Sequence, residues 1–265
     1  MKPVCLVLGA GRGIGANVGT YFADHGYHAC LVRRSNQEAL NESISLIQKA
    51  GNLATGYLMN VIEDDSVEDL IKNIEQNIGP IEVLVYNLGA QSGMKLLAET
   101  SYKEFEWAWR IANLGLFRTA QSLIPLMQQR EKGTFLVTSA TAAMRGNKNQ
   151  HSHASAMGGR RMLCQSLNAE FASKGIHIAH IIIDGMVDAP DTLGKMLGEK
   201  EFNKLKEDLG SSDLLISPLE IAKTYYQIHL QHRSAWTHEL NISSYLDKQW
   251  WNCLLYTSDA ADEDL

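Results

Sequence analysis

The chain has 265 residues, of which 45% are hydrophobic and 20% charged, and its formal net charge is −6. This length suits one compact domain, and the acidic balance argues against binding to nucleic acid or to an anionic membrane surface. The four cysteines show no CxxC spacing, and no apolar run has the length of a membrane span or a signal peptide, so we expect a cytoplasmic protein with no disulfide framework, zinc site or membrane partner.

Short apolar runs alternate along the chain with longer segments of helical periodicity. Each run is bounded by glycine or polar residues, and its length predicts a buried strand. In chain order the runs read "PVCLVLGA", "YHACLVRR", "NLATGYLM", "IEVLVYNLG", "GTFLVTS", "GIHIAHIIIDG" and "AWTHEL".

Between these strands, apolar residues recur at the three- and four-residue spacing of helices. In chain order the predicted helical stretches lie near residues 14–22, 40–47, 67–78, 102–130, 153–173 and 218–230. Strands that alternate with helices of this length specify βαβ units and a parallel sheet. We therefore predict a single doubly wound Rossmann-type α/β domain, with a parallel seven-stranded sheet and helices on both faces.

The end of the chain differs from the rest. The stretch "CLLYTSDAADE", from Cys253 to Glu263, resembles the translation of a transposon adapter used to prepare sequencing libraries. We therefore expect the domain to span residues 1–252, and residues 253–265 to be a non-native tail that takes no part in the fold. A genuine acidic tail is the alternative.

A glycine-rich loop, "GAGRGIG" at residues 9–15, stands where the first predicted strand turns into the first helix. Gly9, Gly13 and Gly15 let the backbone turn tightly and approach a pyrophosphate, which then lies at the positive end of the helix. The strand–turn–helix context is the one that this mechanism requires. The loop therefore predicts a dinucleotide site.

The G-x-x-x-G-x-G spacing of this loop resembles that of the short-chain dehydrogenase/reductase family. Further motifs follow in the family's order: "YNLG" at 86–89, "NLGLF" from Asn113, "GTFLVTSAT" and "IIIDGMVDA". The resemblance extends to about residue 250. It implies an oxidoreductase that interconverts a carbonyl and an alcohol with a nicotinamide cofactor.

Charge predicts which cofactor binds. A site for NAD usually ends the second strand with an acidic residue that binds the ribose hydroxyls, whereas this strand ends with Arg33 and Arg34. Arg12 lies in the glycine loop on the same side, and guanidinium groups pair with phosphate, so we expect NADP(H) in preference to NAD(H). The expected cofactor contacts are Gly9, Arg12, Gly13, Ile14, Gly15, Arg33, Arg34, Asn60, Val61, Asn87, Gly89, Gly185 and Val187.

The catalytic positions depart from the family pattern. The resemblance implies a Tyr-x-x-x-Lys pair on the helix after the fifth strand, and these positions hold His153 and Met157 in "HSHASAM". The family's serine position holds Ala140. The candidate catalytic residues are Asn113, Ser139, Thr141 and His153.

Three hypotheses account for this departure. In the first, which we favour, His153 does the acid–base work, since an imidazole with an unperturbed pKa of ~6.5 needs no lysine to tune it. In the second, the chain binds NADP(H) with little turnover and serves as a sensor or partner subunit. In the third, the histidines bind a metal ion, although no matching Cys, Asp or Glu cluster supports a metal site.

The substrate pocket should draw on residues 91–97, 142–150 and 186–212, because ligands of this fold lie outside the carboxyl ends of the strands. The apolar candidates for its wall are Met94, Leu96, Met144, Met186, Met196 and Leu197. They predict a small, partly apolar substrate.

The resemblance also implies a homodimer or homotetramer. Its usual interface is formed by the helices near 102–130 and 153–173. The apolar residues available there for core and interface are Trp107, Phe117, Leu163, Leu167 and Phe171.

Overall fold

Parallel strands form the centre of the molecule, as a computed structural model describing residues 1–89, 94–209 and 212–247 shows. The strands are β1 (Val4–Leu8), β2 (His28–Arg33), β3 (Ala54–Leu58), β4 (Ile81–Tyr86), β5 (Gly133–Ala140), β6 (Ile176–Asp184) and β7 (Glu239–Ser243). They pair in one seven-stranded sheet in the order β3-β2-β1-β4-β5-β6-β7, and every pair is parallel. The predicted sheet is confirmed.

Helices connect successive strands. They are α1 (Ile14–Asp24), α2 (Gln37–Lys49), α3 (Ser66–Asn77), α4 (Tyr102–Trp109), α5 (Gly115–Gln129), α6 (His151–Phe171), α7 (Lys195–Leu197), α8 (Glu199–Leu209) and α9 (Pro218–His229). No helix in the described ranges is both long enough and apolar enough to span a bilayer.

The core has two layers, one on each face of the sheet. Leu6 of β1 packs in a cluster with residues of α3, α5 and α6, such as Leu123, whereas its neighbour Val7 packs in a second cluster with residues of α1, α2 and α9, such as Phe22. Successive side chains of a strand point to opposite faces, so a continuous apolar run buries both. The predicted helices on both faces are confirmed.

The strand order reverses between β1 and β4, and this reversal opens a crevice at the carboxyl ends of the two strands. The glycine loop follows β1, and Asn87 follows β4. The crevice is therefore the place in this fold where a ligand binds.

The predicted long helix 102–130 is not continuous. A π-helical turn, Arg110–Leu114, separates α4 from α5 and contains Asn113. One-turn π segments within α-helices often lie at functional sites, because the extra residue re-aims the neighbouring side chains.

The last strand is present, but its predicted position was wrong. The run "AWTHEL" begins at Ala235, whereas β7 begins at Glu239. Residues Arg233–Ala235 form a 3₁₀ turn, and the Trp236 ring stacks on His177 with ring centroids 4.7 Å apart. The 3₁₀ turn and the stacked Trp236 take up the first residues of the run, so pairing with β6 begins only near its end, where the His180 amide donates to the carbonyl of His238 at 2.7 Å. The expected tail, 253–265, lies outside the described residues.

Candidate active site

A cleft of about 500 Å³ lies at the carboxyl ends of β1, β4, β5 and β6. It brings together all the predicted cofactor contacts except Gly15, which is buried at the start of α1. Those in its wall are Gly9, Arg12, Gly13, Ile14, Arg33, Arg34, Asn60, Val61, Asn87, Gly89, Gly185 and Val187. These residues come from both sides of the crevice.

The glycine loop is packed too closely for side chains at Gly9, Gly13 and Gly15, and the first two of these also have a positive φ. Gly9 has φ 96°, and a Cβ there would lie 2.6 Å from the carbonyl oxygen of Asn87. Gly13 has φ 145°, and its Cβ would lie 2.6 Å from the Cβ of Ala189. Both positions need glycine. Ala189 therefore belongs to a segment that lies directly on the loop.

Two arginines and a main-chain amide converge at one corner of the cleft and bind the carboxylate of Asp191. Arg33 Nη2 donates to Asp191 Oδ2 at 2.8 Å, and the Arg12 amide donates to the same oxygen at 2.8 Å. Arg12 Nε and Nη2 each donate to Oδ1 at 3.3 Å. We call Arg12, Arg33 and the Arg12 amide the anion corner. Its geometry suits one anionic group.

The Asp191 side chain is 6% exposed, and that of Arg33 is 8% exposed. Burial raises the pKa of the Asp191 carboxyl, but hydrogen bonds from the Arg12 amide and Arg33, with the two positive charges, outweigh this and hold its pKa below the ordinary value. Asp191 is therefore a carboxylate at neutral pH.

Sequence reasoning missed Asp191. It lies in the π-helical turn Pro190–Gly194, which follows β6 and leaves the sheet at the same edge as the glycine loop. An acidic residue in that segment was the available signal, because the carboxyl ends of neighbouring parallel strands meet at one edge.

The third predicted arginine has a different neighbour. The Arg34 guanidinium lies 5.9 Å from the centroid of the Trp107 ring, within cation–π range. Trp107, predicted for core or interface, lines the cleft beside Met59 and Asn60. The adenine end of a dinucleotide would meet an aromatic ring here.

The opposite end of the cleft holds two of the predicted catalytic residues, His153 and Ser139. His153 is half-buried in the first turn of α6, and Ser139 lies near the end of β5. Ser139 Oγ lies 3.8 Å from Met157 Sδ and donates to it. The hydroxyl, the thioether and the imidazole therefore share one wall.

The other two predicted catalytic residues lie outside the lining of the cleft. Asn113 is buried, and its Nδ2 donates to the carbonyl of Ala156 in α6 at 3.1 Å. Thr141 begins a short 3₁₀ turn, where its carbonyl accepts the amide of Met144. Their positions suit support of the wall rather than contact with a ligand.

Arg160 was also missed. It lies on the same face of α6 as His153 and Met157, at the spacing i, i+4, i+7, and it reaches the floor of the cleft. Arg160 as a whole is 1% exposed to solvent. Each guanidinium nitrogen donates to a main-chain carbonyl: Ala112 at 3.2 Å, Thr138 at 2.7 Å and Leu88 at 2.8 Å. The seven-residue spacing from His153, which places both residues on one helix face, was the sequence signal that could have identified Arg160.

The predicted apolar substrate wall is not found in the lining of this cleft. Met94, Leu96 and Met196 are exposed, and the residues of 186–212 that do line the cleft are Val187, Ala189, Asp191, Thr192 and Lys195. Of the predicted segment 91–97, residues 91–93 lie outside the described residues. Met94 and Leu96 lie in an irregular segment before a short 3₁₀ turn, and Met196 lies in the short surface helix α7.

A metal site finds no support in the described ranges, which contain no group of three or more His, Cys, Asp or Glu residues placed to hold an ion. The same ranges do fit a dinucleotide. The loop excludes side chains where a pyrophosphate would approach, and the anion corner already binds a carboxylate.

Comparisons with known proteins agree with this geometry. A family model described as short chain dehydrogenase matches residues 3–196. The 3-oxoacyl-(acyl-carrier-protein) reductase FabG of Staphylococcus epidermidis is 29% identical over 217 residues, which are 78% of this chain and 87% of the relative.

Solved structures show the same architecture. A short-chain dehydrogenase from Rhodopseudomonas palustris is 28% identical, with a TM-score of 0.76 over 92% of this chain and 99% of that one. The L-sorbose reductase of Gluconobacter frateurii, solved with NADPH and L-sorbose, is 18% identical, with a TM-score of 0.81 over 91% of this chain and 95% of that one. At 18% identity the likeness concerns the fold alone.

Proposed function

The chain belongs to the short-chain dehydrogenase family, and on this basis we propose that it is an NADP(H)-dependent oxidoreductase acting on a carbonyl/alcohol pair of a small molecule. One observation carries the proposal. A single cleft joins a glycine loop and an anion corner at one end to an imidazole and a hydroxyl at the other. A nucleotide held at the first end would extend toward the second.

The arginines support NADP(H) over NAD(H). Arg12 and Arg33 form the anion corner, and β2 ends without the acidic residue that would hydrogen-bond the ribose hydroxyls. When bound, the nicotinamide would supply or accept the hydride. The chain has to hold this group and move the accompanying proton.

His153 is the proposed proton donor and acceptor. It is the imidazole of α6 that lines the cleft, and imidazole is the side-chain group best suited to both giving and taking a proton. In the reductive direction, an imidazolium at His153 would give its proton to the carbonyl oxygen, and Ser139 Oγ would donate a hydrogen bond to that oxygen after leaving Met157 Sδ.

The test is turnover of NADPH with a panel of aldehydes, ketones and quinones by the wild-type protein and H153F. Loss of a general acid costs about 10²–10⁴ in rate, so we expect H153F to lose at least about 100-fold in kcat/KM on the best substrate. His151→Phe, two residues earlier on α6, is the matched control and should retain the wild-type rate. Equal slow oxidation of NADPH by wild type and H153F would refute the role of His153.

A second candidate is an NADP(H)-binding protein with little turnover, acting as a sensor or partner subunit. It is favoured by the Ser139–Met157 contact, because a thioether in this position can neither tune an acid nor hold a ribose hydroxyl as an ammonium can. Trp107 lines the cleft, so its fluorescence can report the binding of a nucleotide. Quenching of tryptophan fluorescence by NADPH, without turnover of any panel member, would support this candidate.

A further inference from the structure

The anion corner is occupied by part of the chain itself. We propose that the Asp191 carboxylate stands where the 2′-phosphate of NADP(H) binds, and that it determines cofactor affinity and selectivity by competing for Arg12 and Arg33. This inference rests on the proposed function. Asp191 belongs neither to the glycine loop nor to the proposed catalytic residues His153 and Ser139.

The first argument is the donor set. Asp191 accepts hydrogen bonds from an amide of the glycine loop and from two guanidinium groups, and Lys195 Nζ lies 3.9 Å from Oδ1. These donors are the ones that a phosphate monoester requires, because its oxygens accept several charge-assisted bonds at once. A carboxylate with two oxygens satisfies them in part. It is a chemical stand-in for the phosphate.

The second argument is steric. A Cβ at Gly11 would lie 3.5 Å from both Cβ and Oδ2 of Asp191. The Asp191 side chain therefore lies against the inner surface of the glycine loop, over the donors themselves. A phosphate cannot reach the Arg12 amide and the Arg33 guanidinium while the carboxylate remains.

The third argument concerns release. Asp191 lies in a single π-helical turn, and its amide meets the Arg12 carbonyl at a long 3.4 Å. Asp191 and Arg12 share four hydrogen bonds, and three of them are made through the Asp191 side chain. Replacing the carboxylate by a ligand phosphate would therefore need movement of one turn and leave the sheet unchanged.

The charges then predict selectivity. A 2′-phosphate carries more negative charge than a carboxylate and can displace it from two guanidinium groups. A nucleotide without that phosphate leaves Asp191 in place, since displacement would strand Arg33, a buried cation. Removal of the carboxylate should therefore strengthen NADP⁺ binding and leave NAD⁺ binding almost unchanged.

The experiment is calorimetric titration of NADP⁺ and NAD⁺ into wild type, D191N and D191A. We expect affinity for NADP⁺ to rise about tenfold in both variants, and affinity for NAD⁺ to change less than about twofold. D188N is the matched control. It neutralises a carboxylate three residues earlier that pairs with Lys206 at 2.7 Å, away from the corner, and should bind both nucleotides as wild type does.

An unchanged or weaker affinity of both variants for NADP⁺, or an equal gain for NAD⁺, would overturn the inference. Absence of binding to every form, wild type included, would instead overturn the proposed function. Should the variants fail to fold, carbon-13 NMR of the Asp191 carboxyl in the wild type gives the answer. NADP⁺ should shift its signal and NAD⁺ should not, and a signal that NADP⁺ leaves unmoved would refute the displacement.

Discussion

Arg160 joins three parts of the backbone beneath the cleft. Its guanidinium binds the carbonyl of Ala112 in the π-helical turn, that of Thr138 in β5 and that of Leu88 after β4. Burial lowers the pKa of Arg160, and the neighbouring groups that oppose this effect are Tyr86, Cys164 and Tyr225 rather than a carboxylate. A buried cation of this kind is tolerated because every guanidinium nitrogen has an acceptor and the Tyr86 ring lies 5.2 Å away.

Arg160→Met tests this account. The substitution removes a charged donor from three carbonyls, one buried and two partly buried, so we expect the free energy of unfolding to fall by about 2–4 kcal/mol. Urea denaturation measures it.

The neighbouring residue provides the control. Arg161 forms a partly exposed, bidentate ion pair with Glu239, with hydrogen bonds of 2.7 and 2.8 Å. Both side chains reach solvent, which screens the pair and can replace its hydrogen bonds, so R161M should lose only about 1 kcal/mol. Equal losses in the two variants would show that the buried carbonyl network adds no special stability.

At the scale of elements, His229 connects α9 to the sheet. Its Nε2 lies 2.6 Å from the Tyr27 hydroxyl before β2, and its Nδ1 lies 2.9 Å from Thr134 Oγ1 in β5. One ring nitrogen donates and the other accepts, so the neutral imidazole satisfies both partners. Burial lowers the pKa of His229 to about 4. Docking of α9 therefore requires the uncharged ring.

This requirement makes stability depend on pH. The unfolded chain binds a proton at His229 near pH 6.5, whereas the folded chain does so near pH 4, so stability is lost as pH falls through this window. Between pH 7.5 and 5 the contribution of His229 should fall by about 1–2 kcal/mol.

Urea denaturation at the two pH values checks this dependence. H229Q, which keeps a donor and an acceptor but does not titrate, should lose less stability on acidification than wild type. H232Q, at an exposed position after α9, should retain the wild-type difference. A loss in H229Q as large as in wild type would contradict the assignment.

At the scale of the whole molecule, one group of surface helices exposes large apolar side chains. Phe105 and Trp109 of α4, Phe117 of α5 and Met162 of α6 are all exposed, Phe117 by 47%. Of the residues expected to serve core or interface, Leu167 is buried in the core. Exposed apolar groups of this size mark interaction surfaces when they lie together. They support assembly through these helices.

We predict a homodimer or homotetramer in solution. Light scattering should give two or four times the mass of one chain, and F117E should shift the protein toward the monomer because a carboxylate would be buried at the interface. L230E, on an exposed leucine after α9, is the control and should keep the wild-type mass. A wild-type mass equal to one chain would refute the prediction.

Local patterns were sufficient for the architecture. Seven apolar runs bounded by turn residues specify buried strands, and helices between them require a parallel sheet with both faces covered. The glycine loop and Asn87 could be placed together for the same reason, since parallel strands bring their carboxyl ends to one edge. The strands, the helices and the placement of the residues at strand ends follow from the order of residues along the chain, which the sequence encodes directly.

Which side chains pair with one another across the molecule was decided only by folding. Arg12 and Asp191 are 179 residues apart, and the sequence indicates only that their segments leave the sheet at one edge, not that these two side chains pair. Arg160 and its three carbonyls are brought together by α6, β5, the π-helical turn and the end of β4. Charges and buried polar groups bind whatever the packing brings within about 3 Å, and only the assembled layers determine that neighbour.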